Sequence, residues 1–416
     1  MKKLIGILFL FSIISINTYS QIVWEEINTP NDIKNYSVAV ANNGDIYLGN
    51  SKSDGGGGVI RSTNNGGSWE FIGLENYTVY SLSFNHEGNL LAGTSYGIFL
   101  YDLASSEWDQ KFLPVSNTIT INPGFNNTIF AGGDLWRSSD DGYTWQEIIE
   151  TEGGVRDFAV LSQDTVYVGM KNYLGGIGGV SRSIDAGDTW EQIGLDVHYV
   201  ATLGLNSSGD LYAGCTDHHH YGYGGVFKLE HGANTWDTLS FWPRITSMVI
   251  TDEDIIYCGF YTTTQYQGGV IRSDDGGESW VIDTTGMGNI GVKDLVMDNN
   301  ERLYALAGYT NTNLYRTSLP VSLEHQSELK PKTKTYCVPN PFSSRAKIYF
   351  DNPSNGSADL NIYSLNGEKI RSRKLNTSEI DQQTIMIERN NLKSGFYIYV
   401  ISGKNYYSTG KIVITH

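Results

Sequence analysis

Ser138-Ser139-Asp140-Asp141-Gly142-Tyr143-Thr144-Trp145 spells out a tight turn residue by residue. The first Asp can accept from turn amides in an Asx turn. Gly reaches φ > 0 without a Cβ clash. The hydroxyls tie the turn to its neighbours, and Trp supplies a large apolar body for packing. The pattern returns as Ser62-x-Asn64-x-Gly66-x-Ser68-Trp69, Ser183-x-Asp185-x-Gly187-x-Thr189-Trp190 and Ser273-x-Asp275-x-Gly277-x-Ser279-Trp280. Two further sites, Ser105-Ser106-Glu107-Trp108 and Leu229-x-His231-x-Ala233-x-Thr235-Trp236, keep the Trp and lose the turn chemistry.

Working outward, a Trp-led strand occurs seven times, at Trp24, Trp69, Trp108, Trp145, Trp190, Trp236 and Trp280, with spacings of 45, 39, 37, 45, 46 and 44 residues. A strand ending in Tyr-x-Gly or a variant accompanies each, as in Ile46-Tyr47-Leu48-Gly49, Val166-Tyr167-Val168-Gly169 and Ile256-Tyr257-Cys258-Gly259. That period is the length of a four-stranded propeller blade. The phase is decisive. Val23-Trp24-Glu25-Glu26-Ile27 precedes any complete repeat, and the last repeat stops at Leu314-Tyr315-Arg316-Thr317-Ser318 without a Trp strand. The N-terminal strand is therefore expected to complete the last blade and close the ring, removing exposed strand edges. The fold class expected is all-β: a seven-bladed β-propeller over residues 21–318, closed by the N-terminal strand, then a small C-terminal β-sandwich.

The turn resembles the Asp-box, or BNR, repeat of the sialidase/sortilin-like propellers, Ser/Thr-x-Asp-x-Gly-x-Thr-Trp. The resemblance implies that Asn64, Gly66, Trp69, Asp140, Gly142, Trp145, Asp185, Gly187, Trp190, Asp275, Gly277 and Trp280 are structural. It also implies that any binding or active site lies on the face away from these turns.

The propeller region holds 14 Lys and Arg against 37 Asp and Glu, a net of −23, whereas residues 336–416 hold 10 against 6, a net of +4. So acidic a domain repels phosphate backbones, which argues against nucleic acid as a partner. Residues 1–20 read as a secretory signal: Lys2 and Lys3, an apolar run from Leu4 to Ile16 too short to span a bilayer, and a Ser20–Gln21 cleavage point. No later stretch is long and apolar enough to cross a membrane. Export would permit a disulfide between Cys215 and Cys258, but two separate buried thiols is the preferred reading.

Residues 319–335 read as a linker. Residues 336–416 open with Pro339-Asn340-Pro341-Phe342. Leu360-Asn361-Ile362-Tyr363 follows, with an Asn366-Gly367 turn, then Gly395-Phe396-Tyr397, and the chain closes on Lys411-Ile412-Val413-Ile414. Period-two alternation around such a turn indicates hairpins. The landmarks and their order are similar to the type A C-terminal sorting domain of the type IX secretion system of Bacteroidota. The resemblance implies the secretion machinery as a partner, export through the periplasm, and a secreted or outer-surface location.

The loops between second and third strands, and those between blades, share the face away from the turns. They offer Tyr173, His218, His220, Tyr221, Tyr223, Arg156, His198, Trp242 and Arg244 as candidate ligand-binding residues for a glycan or protein. Lys34 and Lys293 join Arg156 and Arg244 near the starts of innermost strands, where a cationic patch at the central mouth is expected. Three adjacent histidines at 218–220 make a poor chelate, because neighbouring strand residues point to opposite faces, so no metal or cofactor is expected. Glu150, Glu152, Asp157, Asp196 and Asp294 are the carboxylates from which a hydrolase could draw an acid–base pair. No recognisable catalytic set is present, and no sialidase arginine motif. The expected function is a non-catalytic binding propeller, with a glycoside hydrolase or lyase acting on extracellular polysaccharide as the alternative.

Overall fold

Gly49 explains why the repeat demands Tyr-x-Gly. A Cβ there would stand 2.6 Å from Val79 Cγ1, on the innermost strand of the next blade, and Gly259 meets Val292 in the same way at 2.7 Å. The second strand of each blade is thus pressed under the first strand of its neighbour. The tyrosine two residues earlier, buried at Tyr47, Tyr212, Tyr257 and Tyr304, fills the layer between them.

The computed structural model describes residues 22–415 apart from 31–32, 53–56, 113–120, 125, 150–153, 172–177, 217–223, 241–243, 263–266, 309–311, 319, 322–334, 351–356, 365–368, 376–383, 391 and 404–405. The chain divides into two compact units, Ile22–Val321 and the residues from Ser322 onward. The first contains seven antiparallel sheets of four strands each. The innermost strands are Ile33–Val40, Val79–Phe84, Ile121–Pro123, Val155–Val160, Tyr199–Leu205, Ile245–Ile250 and Val292–Met297, for blades 1 to 7 in order. Each packs beside its neighbours, and the ring closes where blade 7 meets blade 1. The unit is a seven-bladed β-propeller.

The N-terminal strand supplies the fourth strand of blade 7, pairing Trp24 with Thr317 and Ile27 with Leu314. Asp283 ends the fourth strand of blade 6 and serves this closure. Its carboxylate accepts from the Ile22 amide at 3.3 Å, its carbonyl accepts from Trp24 Nε1 at 3.1 Å, and Arg272 lies beside it in the interior. At the same seam, buried Asn35 of blade 1 is tied to Thr312 of blade 7 through both backbone and side chain.

The apolar core is a series of layers between blades. One joins Tyr47 and Val59 of blade 1 to Val79 and Leu90 of blade 2, and another joins blades 7 and 1 through Leu306, Leu314, Val38 and Ile46. Cys215 and Cys258 are free thiols in two different layers, and burial pushes both up in pKa.

The second unit has two sheets, one of strands Thr335–Val338, Arg345–Phe350 and Thr384–Glu388, the other of Ala358–Ser364, Lys369–Leu375, Gly395–Gly403 and Tyr406–Ile414. Ile348, Phe350 and Ile385 of the first meet Leu360, Ile401 and Ile412 of the second in one core. Asn340 explains the Pro-Asn-Pro start: it accepts from the Val413 amide at 2.7 Å and donates to the Lys411 carbonyl at 2.8 Å, clipping the opening of the domain to its terminal strand. The expected Asn366-Gly367 turn, like the signal segment 1–20, lies outside the described residues.

Candidate ligand-binding site at the channel mouth

In the turns between third and fourth strands, Asp140 accepts from the Ser138 hydroxyl and the Thr144 amide at 2.8 Å, and from the Thr144 hydroxyl at 2.6 Å. Ser138 Oγ in turn accepts from the Gly142 amide. Asp185 and Asp275 repeat the arrangement. The Thr189 hydroxyl and amide pull Asp185 down to about 2. Asn64 makes the same turn with one bond reversed, its Nδ2 donating to Ser68 Oγ. All of these carboxylates are consumed inside their own turns.

The indole N–H separates two kinds of blade. Trp145, Trp190 and Trp280 donate to the carbonyl of their own turn glycine, Gly142, Gly187 and Gly277. Trp24, Trp69, Trp108 and Trp236 donate across the seam to the preceding blade, at Asp283, Asn28, Ile72 and Ile193. The Asp-bearing turns hold their own tryptophan. Where the Asp is replaced or the turn is missing, the indole staples two blades instead.

The opposite face is built differently. In six innermost strands the ladder carries a β-bulge near the strand start, placing two residues against one. The extra residues are Tyr36, Tyr80, Arg156, Ala201, Thr246 and Lys293. The residues after them are Ser37, Ser81, Asp157, Thr202, Ser247 and Asp294. A bulge re-aims side chains, and here a polar residue follows the bulge in each of the six strands.

Asp157 accepts from the Phe158 amide and from Leu203 N in the next blade, both at 2.8 Å, and from the Thr202 hydroxyl. Asp294 accepts from Leu295 N and, across the closing seam, Val38 N, both at 3.0 Å. Both lie at the bulges of innermost strands and keep a partly accessible surface. Desolvation pushes both up to about 6, and Asp294 adds to the shift at Asp157 through its charge.

Cations and rings surround this pair. Lys34 Nζ lies 5.1 Å and Lys293 Nζ 5.8 Å from the centroid of Tyr36, whose ring meets Tyr80 edge-on at 5.5 Å. Burial, then the neighbouring Lys34 charge, pushes Lys293 down to about 8. Arg156 and Lys171 each lie 5.4 Å from the Tyr199 ring, and Arg244 lies 5.2 Å from that of Tyr261. His198 sits apart, half-buried against Phe227 at 4.8 Å, with burial lowering its pKa. Tyr173, His218, His220, Tyr221, Tyr223 and Trp242 lie outside the described residues, as do Glu150 and Glu152. Asp196 is exposed. Among the described residues no cluster of three His, Cys, Asp or Glu could hold a metal ion.

Tyr36, Tyr80, Tyr199 and Lys171 reach this face without a signal of their own in the sequence, because the bulge that aims the first two breaks the simple alternation of a strand. Tyr96 was also missed. It is 58% exposed in the tight turn between Thr94 and Gly97 and stacks on Tyr77 at 5.6 Å. Both belong to this same face, whose loops between second and third strands differ in length. Blades 2 and 3 turn through residues 95–96 and 132–134 only, whereas blades 4 and 5 carry 171–178 and 217–224.

An exported propeller is the class that this architecture defines. Residues 336–415 match the family model of the secretion system C-terminal sorting domain, which directs the chain to the outer cell surface or beyond it. No curated protein matches the chain. Solved structures resemble it in fold. The GH74 enzyme of Niastella koreensis superposes with a TM-score of 0.54 at 17% identity, over 80% of this chain and 60% of that one. PorZ, a surface component of the type IX secretion system of Porphyromonas gingivalis, superposes at 0.54 with 11% identity, over 94% and 60%. YCF48 bound to D1 peptide superposes at 0.53 with 14% identity, over 71% and 96%. The chain thus spans about three-fifths of the first two proteins.

Proposed function

We propose that the protein is an Asp-box propeller, delivered to the cell exterior after loss of residues 1–20, which binds a glycan or protein ligand at its channel mouth without transforming it. The carrying observation is how the mouth's two deep carboxylates are used. Asp157 and Asp294 are bound by backbone amides of the neighbouring blade, at 2.8 and 3.0 Å. A general acid and base need lone pairs turned toward substrate, and these are turned toward the scaffold. Around them lie rings and cations, the groups that bind without chemistry. A panel of glycans and polysaccharides, screened for both binding and hydrolysis with the purified chain, tests the reading. Binding without new reducing ends supports it, and turnover of any polysaccharide refutes it.

A hydrolase is the second reading, favoured by the elevation of both carboxylates to about 6, where a general acid would operate. It predicts turnover that Asp157→Asn or Asp294→Asn abolishes. Membership of the GH74 enzyme among similar folds adds no weight, since unrelated sites share folds.

A further inference from the structure

The C-terminal unit departs from the rule that an antiparallel sheet packed on one side keeps its other side polar. In its three-stranded sheet, Thr335–Val338, Arg345–Phe350 and Thr384–Glu388 alternate between buried and open positions. Cys337, Ile348 and Ile385 point into the core. Among the residues that point outward, Tyr336 is 59% exposed, Val338 51% and Met386 40%. The register brings them together. Tyr336 lies opposite Tyr349, and Lys347 lies between Val338 and Met386. The Tyr336 and Tyr349 rings stack at 4.8 Å, with 10° between their planes. Lys347 and Arg345 add two exposed cations to the same face, Arg345 opposite Glu388.

Such a face adds little to the fold, since polar β-formers such as threonine pair across strands as well. In the propeller, the exposed residues Phe71, Tyr96, Ile184 and Ile282 stand in four different blades. Single apolar residues of that kind are ordinary, whereas a joined cluster marks an interaction surface. The occupant follows from the role of the domain. Residues 336–415 match a secretion system sorting domain, which acts by being recognised during export, and the match begins at Tyr336. The two cations beside the apolar cluster favour a partner with carboxylates at the same spacing.

We propose that the outward face of this sheet, built on Tyr336, Tyr349, Val338 and Met386, is where the secretion machinery docks. The partner surface that fits it is apolar at its centre and rimmed with carboxylates that meet Lys347 and Arg345. This docking is independent of what the propeller binds.

The test expresses the full chain in a bacterium that carries the type IX machinery and compares the amount at the surface and in the medium with the amount held in the periplasm. Joint Tyr336→Ser, Val338→Ser and Met386→Ser substitution should lower export at least about tenfold, as loss of several interface anchors does. Tyr336→Phe with Val338→Ile should export normally. Phe396→Ser, which removes a side chain 61% exposed on the other sheet, should also export normally. Thermal melts of the purified chains check folding. Lys347→Glu, an exposed change that leaves the core untouched, should lower export as well, and it decides the matter alone where the triple variant melts early. Full export of a folded triple variant or of Lys347→Glu would overturn the proposal. An equal loss in Phe396→Ser would overturn it too, because recognition would not be confined to this face. A dimer of the purified chain, seen by sedimentation and dissolved by the triple substitution while export is kept, would assign the face to a second copy instead.

Discussion

The two faces of the propeller follow opposite rules. On the turn face the same hydrogen bonds recur to within about 0.1 Å around Asp140, Asp185 and Asp275. At the mouth, structurally equivalent bulge positions hold two tyrosines, Tyr36 and Tyr80, two cations, Arg156 and Lys293, and the small residues Ala201 and Thr246. Repetition marks what every blade needs in order to fold. Divergence at a shared position marks what only the assembled ring needs. On the function proposed above, the turn face carries stability and the mouth carries recognition, and each prediction below tries to exchange those roles.

Trp24→Ala should have the largest effect. The side chain is 2% exposed, and its indole joins the closing strand to blade 6. Loss of such a buried aromatic costs about 3–5 kcal/mol, measurable by chemical denaturation. A change below about 1 kcal/mol would show that the ring does not depend on this closure.

Asp140→Ala should cost about 1–2 kcal/mol, because three donors in its turn lose their acceptor. Asp140→Asn should cost less than about 0.5 kcal/mol, because Asn64 already forms the same turn with one bond reversed. Equal losses in both variants would mean that the charge, and not the geometry, holds the turn.

The mouth carboxylates give a pH signature of their own. Asp157 and Asp294 titrate near 6 when folded and near 4 when unfolded. Between those values the folded chain holds more protons, so stability falls as pH rises from about 4 to about 6. On the turn face, the Asp141 carboxylate raises His86 above its ordinary value. That contribution is complete below about 6.5 and fades as pH climbs through the folded value. Denaturation midpoints across pH 4.5–7 should show a downward slope that Asp157→Asn reduces and that His86→Gln leaves unchanged below pH 6.

Arg156→Gln, the mildest change, should alter stability by less than about 0.5 kcal/mol while weakening binding. A large loss of stability would place this residue in the scaffold.

The blades were legible because Trp and Tyr-x-Gly recur with a fixed period, and closure because the first Trp strand arrives before its partners. The Asp-bearing turn was legible because each of its residues has one local task. What a strand does after it enters a ring is not local. The bulges that raise Tyr36 and Tyr80 into the mouth leave no mark beyond one extra residue, and Tyr96 gains its meaning only by stacking on Tyr77 from another strand. By residue type alone, Asp157 and Asp294 are candidates for an acid–base pair. Their amide partners, Leu203 and Val38, lie in the neighbouring blade, 46 and 256 residues away, a pairing that spacing cannot disclose. The same holds for Trp69 and Trp108, whose role across the seam depends on where the previous blade ends.

The central division is tested most directly by measuring, on one set of purified variants, both the melting temperature and the affinity for a ligand found in the glycan and polysaccharide screen. Lys293→Gln should lose at least about tenfold in affinity with a melting shift under about 2 °C. Asp140→Ala should melt several degrees lower and bind as the unmodified chain does. Lost affinity in Asp140→Ala well below its melting point, or full affinity in Lys293→Gln, would contradict the assignment of recognition to the mouth.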